Sequence, residues 1–523
     1  MVLLATTTGA LAATADNVSQ YGITWKFDKA YPVGQFITGD WWVVGPVTVV
    51  SVTPAPGPAP ADESVTAQKS RYGATALRDD KQMRNGSMII TGSDPVETAK
   101  HQTGFGNQGY DSRGVNYSPE LSVKFPLQLP VNRTLISTVS CETYGPDGKL
   151  KSPSAISGLS APGGPPLLLF NFSGAPIAMT DAAVLTCLDK APPADAFRPP
   201  YVGTEKPIYE SKDIQWDLLP NLKAPDSTPD WAKMERIYQR PWLDHVDTWA
   251  YSYCFPTANQ PGYGREVARI NSMAGLMLLL DVPREKKEKL LIEYIQNGID
   301  IRGVGAIGRN WIFEDGGHWI GRKWPVLFAS IMLNNASLRD FPPADPSRTV
   351  FNYSRITPAT PAPNGLFCED TDTYYGKGGD GQTALGQVLF HGQQRFPFEE
   401  TPRSQFNGEQ RFLDEYRTQA AISWSGEALA ALLMKGKAIW NHDAFFDYAD
   451  RIMGPNPCTD FGTHLLPNSP HQLDLFVTDM WNAYRKTAPD QPGGKDNLKW
   501  VWNTGKYPDN LNGHFEDNPK PVN

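Results

Sequence analysis

The segment YGREVARINSMAGLMLLLDV, residues 263–282, sets the fold class that we predict for the C-terminal half of the chain. Its apolar residues recur at three- and four-residue intervals, so they share one face of an α-helix. They are Val267, Ile270, Ala274, Met277 and Leu280. The next segment, residues 283–301, begins with proline at a helix-entry position and carries charges in its first turns.

Further helical patterns follow these two and are separated by long loops rich in polar and aromatic residues. They cover residues 319–334, 380–394, 418–435, 443–453 and 472–487. Alternation of helices with such loops predicts an (α/α) toroid, a ring of paired helices around a central cleft. An irregular helical domain is the alternative.

The chain before about residue 200 has a different pattern. Short β-branched or apolar runs, such as WWVVGPVTVVSVT (41–53) and DAAVLTCL (181–188), are separated by proline and glycine turns. This spacing is typical of a β-sandwich. We therefore predict a multi-domain α+β protein. Its parts are a β-rich domain (16–190), a Pro-rich linker (191–230) and a toroid-like catalytic domain (231–523).

Composition limits the classes of partner. The net charge of -8, without a block of Lys and Arg, argues against nucleic acid. The 15 Trp, 20 Tyr and 23 Phe suit sugar binding, because aromatic rings stack on the apolar faces of pyranoses. The five Cys form no CxxC motif or Cys/His cluster, so a structural zinc site is not expected. We assign no metal ligands among the candidate residues and expect no cofactor.

The N-terminus predicts export. Residues 1–15 contain a short apolar run and an A-x-A-like site, which we interpret as a signal segment. Later stretches lack the roughly 18 or more uninterrupted apolar residues of a membrane span. We expect a secreted or periplasmic protein, with its oligomeric state open.

The richest cluster of chemical groups is RNWIFEDGGHWIGRKWPVLFASIMLNN, residues 309–335. If a helix begins near His318, then His318 and Arg322 lie one turn apart on the same face. Histidine can act as acid or base near neutral pH, and arginine offers a planar fork for a carboxylate or sulfate. The alternative is structural: His318 caps the helix, and Arg322 pairs with Glu314 or Asp315.

Two further segments carry candidate groups. In PWLDHVDTWAYSY (241–253), His245 lies between two aspartates and precedes Trp249 and Tyr253, an arrangement suited to a general base or to surface chemistry. In FCEDTDTYYGKGGDGQT (367–383), close carboxylates precede Tyr374 and Tyr375. This segment does not have the spacing of a calcium loop, so it is either a sugar-binding loop or an acidic turn. A fourth candidate, His442, is assigned a structural role.

The segments GGHWIGRKWPVLFA (316–329) and WNHDAFFDYADRIM (440–453) resemble parts of the helical-toroid polysaccharide lyases of the alginate- and heparin-lyase type. This resemblance implies β-elimination on a uronic-acid polymer. It assigns the catalytic roles to residues of three kinds: Arg322 with Asn310 neutralise the uronate, His318 or His245 is the base, and Tyr374 or Tyr253 is the acid. Substrate-binding residues would be Trp311, Trp319, Lys323, Tyr375 and Trp249.

Two competing functions stay open. A glycoside hydrolase would need two carboxylates roughly 5–9.5 Å apart, for example Glu314 or Asp315 with Glu369, Asp370 or Asp372. A non-catalytic glycan-binding protein would bind without cleavage. The sequence lacks the motifs of serine hydrolases, zinc proteases and P-loop proteins, so these classes are not supported.

Overall fold

The computed structural model describes residues 13–57, 68–69, 75–76, 83–97, 100–101, 104–105, 107–112, 117–140, 179–246, 255–262, 264–308, 319–341, 367–371, 373–375, 388–390, 423–453, 473–489, 498–502 and 513–517. The strands within these residues are β1 (Ala13–Gln20), β2 (Ile23–Gln35), β3 (Trp41–Val44), β4 (Val47–Thr53), β5 (Gln68–Lys69), β6 (Thr75–Ala76), β7 (Ser87–Met88), β8 (Lys100–His101), β9 (Gly104–Phe105), β10 (Leu127–Leu129), β11 (Arg133–Ser140), β12 (Met179–Leu188), β13 (Thr373–Tyr375), β14 (Val388–Phe390), β15 (Leu498–Trp502) and β16 (Gly513–Asp517).

The helices of the described residues are α1 (Trp231–Tyr238), α2 (Gly264–Met277), α3 (Arg284–Ala306), α4 (Lys323–Met332), α5 (Cys368–Thr371), α6 (Trp424–Leu433), α7 (Lys437–Trp440), α8 (Asp443–Met453) and α9 (Leu475–Tyr484). Short 3-10 turns cover Pro119–Leu121, Ser211–Asp213, Trp216–Leu218, Ala336–Arg339 and Arg485–Thr487.

Eight strands form one curled, mixed sheet in the order β10-β4-β2-β3-β12-β11-β7, with β1 paired to β2. The pairing of β12 with β3 is parallel, and the other pairs of this sheet are antiparallel. The predicted β-sandwich is therefore wrong. In a sandwich a second sheet covers the inner face, whereas here the curled sheet encloses its own core around Trp25, Phe27 and Leu185.

Alternate side chains along β11 and β12 point to opposite faces of the sheet, and each face contributes to a different hydrophobic core. Leu135 and Leu185 face the core inside the curl. Ile136 and Val184 belong instead to the large core formed with the helices. Successive side chains of a strand point to opposite faces, so these strands are apolar on both sides.

The predicted (α/α) toroid is also wrong, since the described helices form no ring of pairs and only 38% of the structure is helical. All fourteen residues of α2 are buried, and the helix packs against α3, α4, α6 and α9. A toroid leaves its centre open for substrate, whereas here α2 is buried among the other helices. The apolar stripe predicted for 263–282 is buried, but so is the polar face of the same helix.

The individual helical patterns were more reliable than the architecture. Residues 283–301 lie within α3 apart from Pro283, its N-cap, and residues 443–453 coincide with α8. The patterns at 319–334, 418–435 and 472–487 contain α4, α6 and α9. Within 380–394, however, residues 388–390 form strand β14, which pairs with β13.

The Pro-rich segment 191–230 packs between sheet and helices. Arg198, 1% exposed, donates from Nε to Asp40 Oδ2 at 2.6 Å and from its other nitrogens to Asp300 at 2.5 and 2.8 Å. Asp40 precedes β3 and Asp300 lies on α3. This arginine therefore joins the sheet to the helices through two buried ion pairs. Among the helices described, none has the length and apolar character needed to span a membrane.

Candidate functional site

Arg322 lies at the N-cap of α4 and is buried in a salt bridge. Its Nε and one terminal nitrogen donate to the two oxygens of Asp244 at 2.9 and 3.0 Å, and its other terminal nitrogen donates to the Ile320 carbonyl at 2.7 Å. Only 1% of the residue is exposed. The guanidinium predicted to neutralise a uronate is thus held by a carboxylate of the chain itself.

The two neighbouring candidates for substrate binding are also in the interior. Lys323 donates from Nζ to Asp370 Oδ1 at 2.5 Å and to the Trp440 carbonyl at 2.7 Å. Trp319 is 1% exposed and belongs to the large core. Neither side chain presents a surface on which a sugar can stack or pair in this structure.

His245, one of the two predicted bases, contacts two tyrosines. Its Nε2 lies 3.2 Å from the hydroxyl of Tyr110, and its ring packs edge-on against Tyr201. The Tyr201 hydroxyl accepts from the backbone N–H of Asp244 at 2.9 Å. The structure therefore brings His245 and Arg322 together through Asp244, and it adds Tyr110 to this cluster.

The remaining predicted residues cannot be placed by their side chains. Tyr374 and Tyr375 lie in β13, paired with Leu389 and Val388, and only their backbone is described. The others lie outside the described residues: His318, Asn310, Trp311, Trp249 and Tyr253, together with Glu314, Asp315 and Asp372.

Two fully buried glutamates form the most unusual feature near α4. Glu369, on α5, accepts from the Gly321 N–H through Oε1 at 2.6 Å, and its Oε2 has no hydrogen-bond partner among the described residues. Glu427, in the first turn of α6, has no partner on either carboxylate oxygen in the described structure. Both residues are 0% exposed. Leaving a buried carboxyl unpartnered costs free energy, so this arrangement calls for an explanation.

Burial raises the pKa of both glutamates, and the charge of Glu369 adds to the effect on Glu427. Burial raises the pKa of Glu369 to about 7, against the lowering effect of the Gly321 N–H and of Lys323. Burial and the charge of Glu369 raise the pKa of Glu427 well above its usual value, against the lowering effect of Arg322. Two carboxyls in one dry site do not both ionise readily, so the site tends to hold a proton near neutral pH.

Glu369 was among the candidate carboxylates, whereas Glu427 was missed. The available signal was a single acidic residue in WSGEALAALL, an otherwise apolar segment that forms α6. A charge inside an apolar helix is expensive unless it is paired or functional.

His442 is buried and lies against Thr373. Its Nε2 lies 2.8 Å from the carbonyl oxygen and 3.0 Å from the hydroxyl of Thr373, and burial lowers the pKa of its ring. Within the described ranges, no group of three or more His, Cys, Asp or Glu is arranged to hold a metal ion.

Comparison of the chain with protein-family models, curated proteins and solved structures gives no match.

Proposed function

We propose that this chain cleaves glycosidic bonds by acid–base catalysis, with Glu369 and Glu427 as the paired carboxyls. The observation that carries the proposal is the burial of both groups with three carboxylate oxygens lacking a hydrogen-bond partner among the described residues. Hydrolysis of a glycosidic bond needs one carboxylic acid and one carboxylate. Two buried carboxyls with raised pKa values supply both at neutral pH.

The proposed substrate is a polysaccharide, and we propose an anionic one. This part rests on the aromatic-rich sequence and on the resemblance of two segments to polysaccharide lyases. The described Trp residues near the pair are core residues, so sugar-stacking rings must come from elsewhere in the chain. An export signal over residues 1–15 is part of the same proposal, since such polymers are degraded outside the cytoplasm.

Entry of substrate requires the chain around the pair to open. Glu369 and Glu427 are both 0% exposed, so a glycosidic oxygen cannot reach them in the described conformation. Enclosure would strengthen the electrostatic interactions of a bound substrate, because water is excluded.

β-Elimination on a uronic-acid polymer is the second candidate. The contact of His245 with the Tyr110 hydroxyl favours it, because a His–Tyr pair can supply the base and the acid that this reaction needs. The buried ion pairs of Arg322 and Lys323 count against it as first choice, since both cations already have carboxylate partners.

The test is a panel digest with two simultaneous readouts. The purified protein is mixed separately with alginate, glucuronan, hyaluronan, heparan, ulvan, pectin and neutral glucans. Reducing ends and the ultraviolet absorbance of unsaturated ends are followed together. We expect reducing ends without unsaturated ends on at least one polymer. Unsaturated ends would establish elimination instead, and no cleavage of any polymer would contradict both candidates.

Variants locate the activity within the chain. Glu369→Gln and Glu427→Gln keep the size of each side chain and remove its acid–base function, so each is expected to lower the rate at least ~100-fold. The matched control is Glu293→Gln on α3, a buried glutamate whose pKa burial raises to about 8. Full activity of either site variant would remove that residue from the mechanism.

A further inference from the structure

The two glutamates differ in their surroundings, and the difference has a chemical meaning that rests on the proposed function. Glu369 receives a 2.6 Å hydrogen bond from a backbone N–H, whereas neither oxygen of Glu427 receives one from the described residues. A donated hydrogen bond stabilises the ionised form of a carboxyl. An unpartnered, dry carboxyl is more stable when it is protonated.

We propose that Glu427 is the proton donor to the leaving oxygen and that Glu369 is the ionised partner on the other side of the scissile bond. In the reaction the bond between C1 and the glycosidic oxygen breaks, and that oxygen takes the proton of Glu427. An oxygen of Glu369, or of a water that gives its proton to Glu369, bonds to C1. Overall, one water is consumed for each bond cleaved.

The backbone that holds Glu369 is itself held in place. Gly321 has a φ of +91°, and a Cβ there would lie 2.5 Å from backbone atoms of Ala268, so glycine is required. Its carbonyl accepts from Asn271 Nδ2 at 2.6 Å, and Asn271 Oδ1 accepts from the Tyr238 hydroxyl at 2.6 Å. This chain of contacts fixes the Gly321 N–H toward Glu369, which keeps the two carboxyls unequal.

The charged and titratable groups around the pair agree with this division. Facing Glu369 are Asp370, which opposes its ionisation, and Lys323, which favours it. The charges that act on Glu427 are those of Glu369 and Arg322. Burial, with a contribution from the charge of Glu427, raises the pKa values of Tyr238 and Tyr294. Arg322, whose charge lowers the pKa of Glu427, is bound by Asp244, which weakens its support for ionisation of Glu427.

Chemical rescue distinguishes the two roles. Glu369→Ala and Glu427→Ala are each incubated with the polymer that the wild-type protein cleaves, with and without sodium azide. In Glu369→Ala, azide can attack C1 while Glu427 still protonates the leaving oxygen. We expect azide to raise its cleavage rate at least ~10-fold and to give glycosyl azide ends in mass spectra. Glu427→Ala should gain nothing, because the leaving oxygen has no acid.

The outcomes separate the roles from the function itself. Rescue of Glu427→Ala but not of Glu369→Ala would reverse the assignment, and rescue of neither folded variant would overturn it. Circular dichroism checks folding, and Glu427→Gln, which creates no cavity, must also resist rescue. If the wild-type protein releases only unsaturated ends, or cleaves no polymer, the proposed function fails and the role assignment fails with it.

Discussion

At the scale of single residues, Glu427 is a group that the fold stabilises poorly. It is fully buried, and its carboxyl oxygens lack partners among the described residues. Natural proteins retain such costs mainly where activity needs them. If Glu427 lowers the stability of the folded protein, the effect can be measured by unfolding experiments without any substrate.

We predict that Glu427→Gln stabilises the protein at pH 8 while removing its activity. Because the pKa of Glu427 is raised in the folded state, the folded chain binds a proton that the unfolded chain releases above about 4.5. Stability from this group is therefore present at low pH and is lost as pH rises toward the folded pKa. Glutamine has no such loss, so the free energy of unfolding in urea should be higher by roughly 1–3 kcal/mol at pH 8 and nearly unchanged at pH 4.

The control for this prediction is Glu285→Gln, an exposed glutamate in the first turn of α3. Its unfolding free energy should differ little from the wild-type value at both pH values. If Glu427→Gln were less stable than the wild-type protein at pH 8, the glutamate would have a partner that favours its charge, and the pair would be structural.

At the scale of elements, the start of α4 connects the cluster around Asp244 and His245 with the cluster around Glu369 and Asp370. Arg322 reaches Asp244 and the histidine–tyrosine cluster on one side, and Lys323 reaches Asp370 beside Glu369 on the other. Sequence reasoning recognised these two cations as exceptional. It assigned them to substrate, whereas the structure pairs them inside the protein.

We predict that Arg322→Met destabilises the protein by about 3–5 kcal/mol, because Asp244 then stays buried without its cation. The double variant Arg322→Met/Asp244→Leu should recover most of this loss, since no charge is left unpaired. Urea denaturation measures both. Lys212→Met is the matched control, because Lys212 pairs with Glu210 at the surface and its loss should change stability little. A loss of similar size in the control would contradict the argument from burial.

At the scale of the whole molecule, the sheet and the helices share one hydrophobic core. Met88, Ile136 and Val184 from the sheet belong to the same cluster as α2, α3 and α4. Arg198 adds buried ion pairs to Asp40 and Asp300 across this junction. The two sides of the predicted domain boundary near residue 190 therefore differ in composition, but one hydrophobic core contains residues from both.

We predict that the sheet and the helices unfold in one transition. A shared core couples their stabilities, because separating them exposes apolar surface on both. Tryptophan fluorescence and far-ultraviolet circular dichroism should give coincident urea curves, and Arg198→Met should move both curves together. Two separate transitions would instead support the independent domains predicted from the sequence.

The sequence by itself determined the local structure, because helical and strand periodicities depend on neighbours a few residues away. The stripe at 263–282, the strands at 41–53 and 181–188 and the helix at 443–453 all followed from such patterns. The sequence also marked Arg322, Lys323 and Glu369 as residues with chemistry to explain.

Only the tertiary structure decided the architecture and the partners of those residues. Whether strands form two sheets or one curled sheet depends on which strand edges meet, and periodicity is the same in both cases. The ion pair of Arg322 with Asp244 joins residues far apart in the chain, and so does the effect of the Glu369 charge on the pKa of Glu427. Such interactions form because the packed core brings these residues together and excludes water. Neither the proximity nor the exclusion of water can be deduced from the order of charges along the sequence.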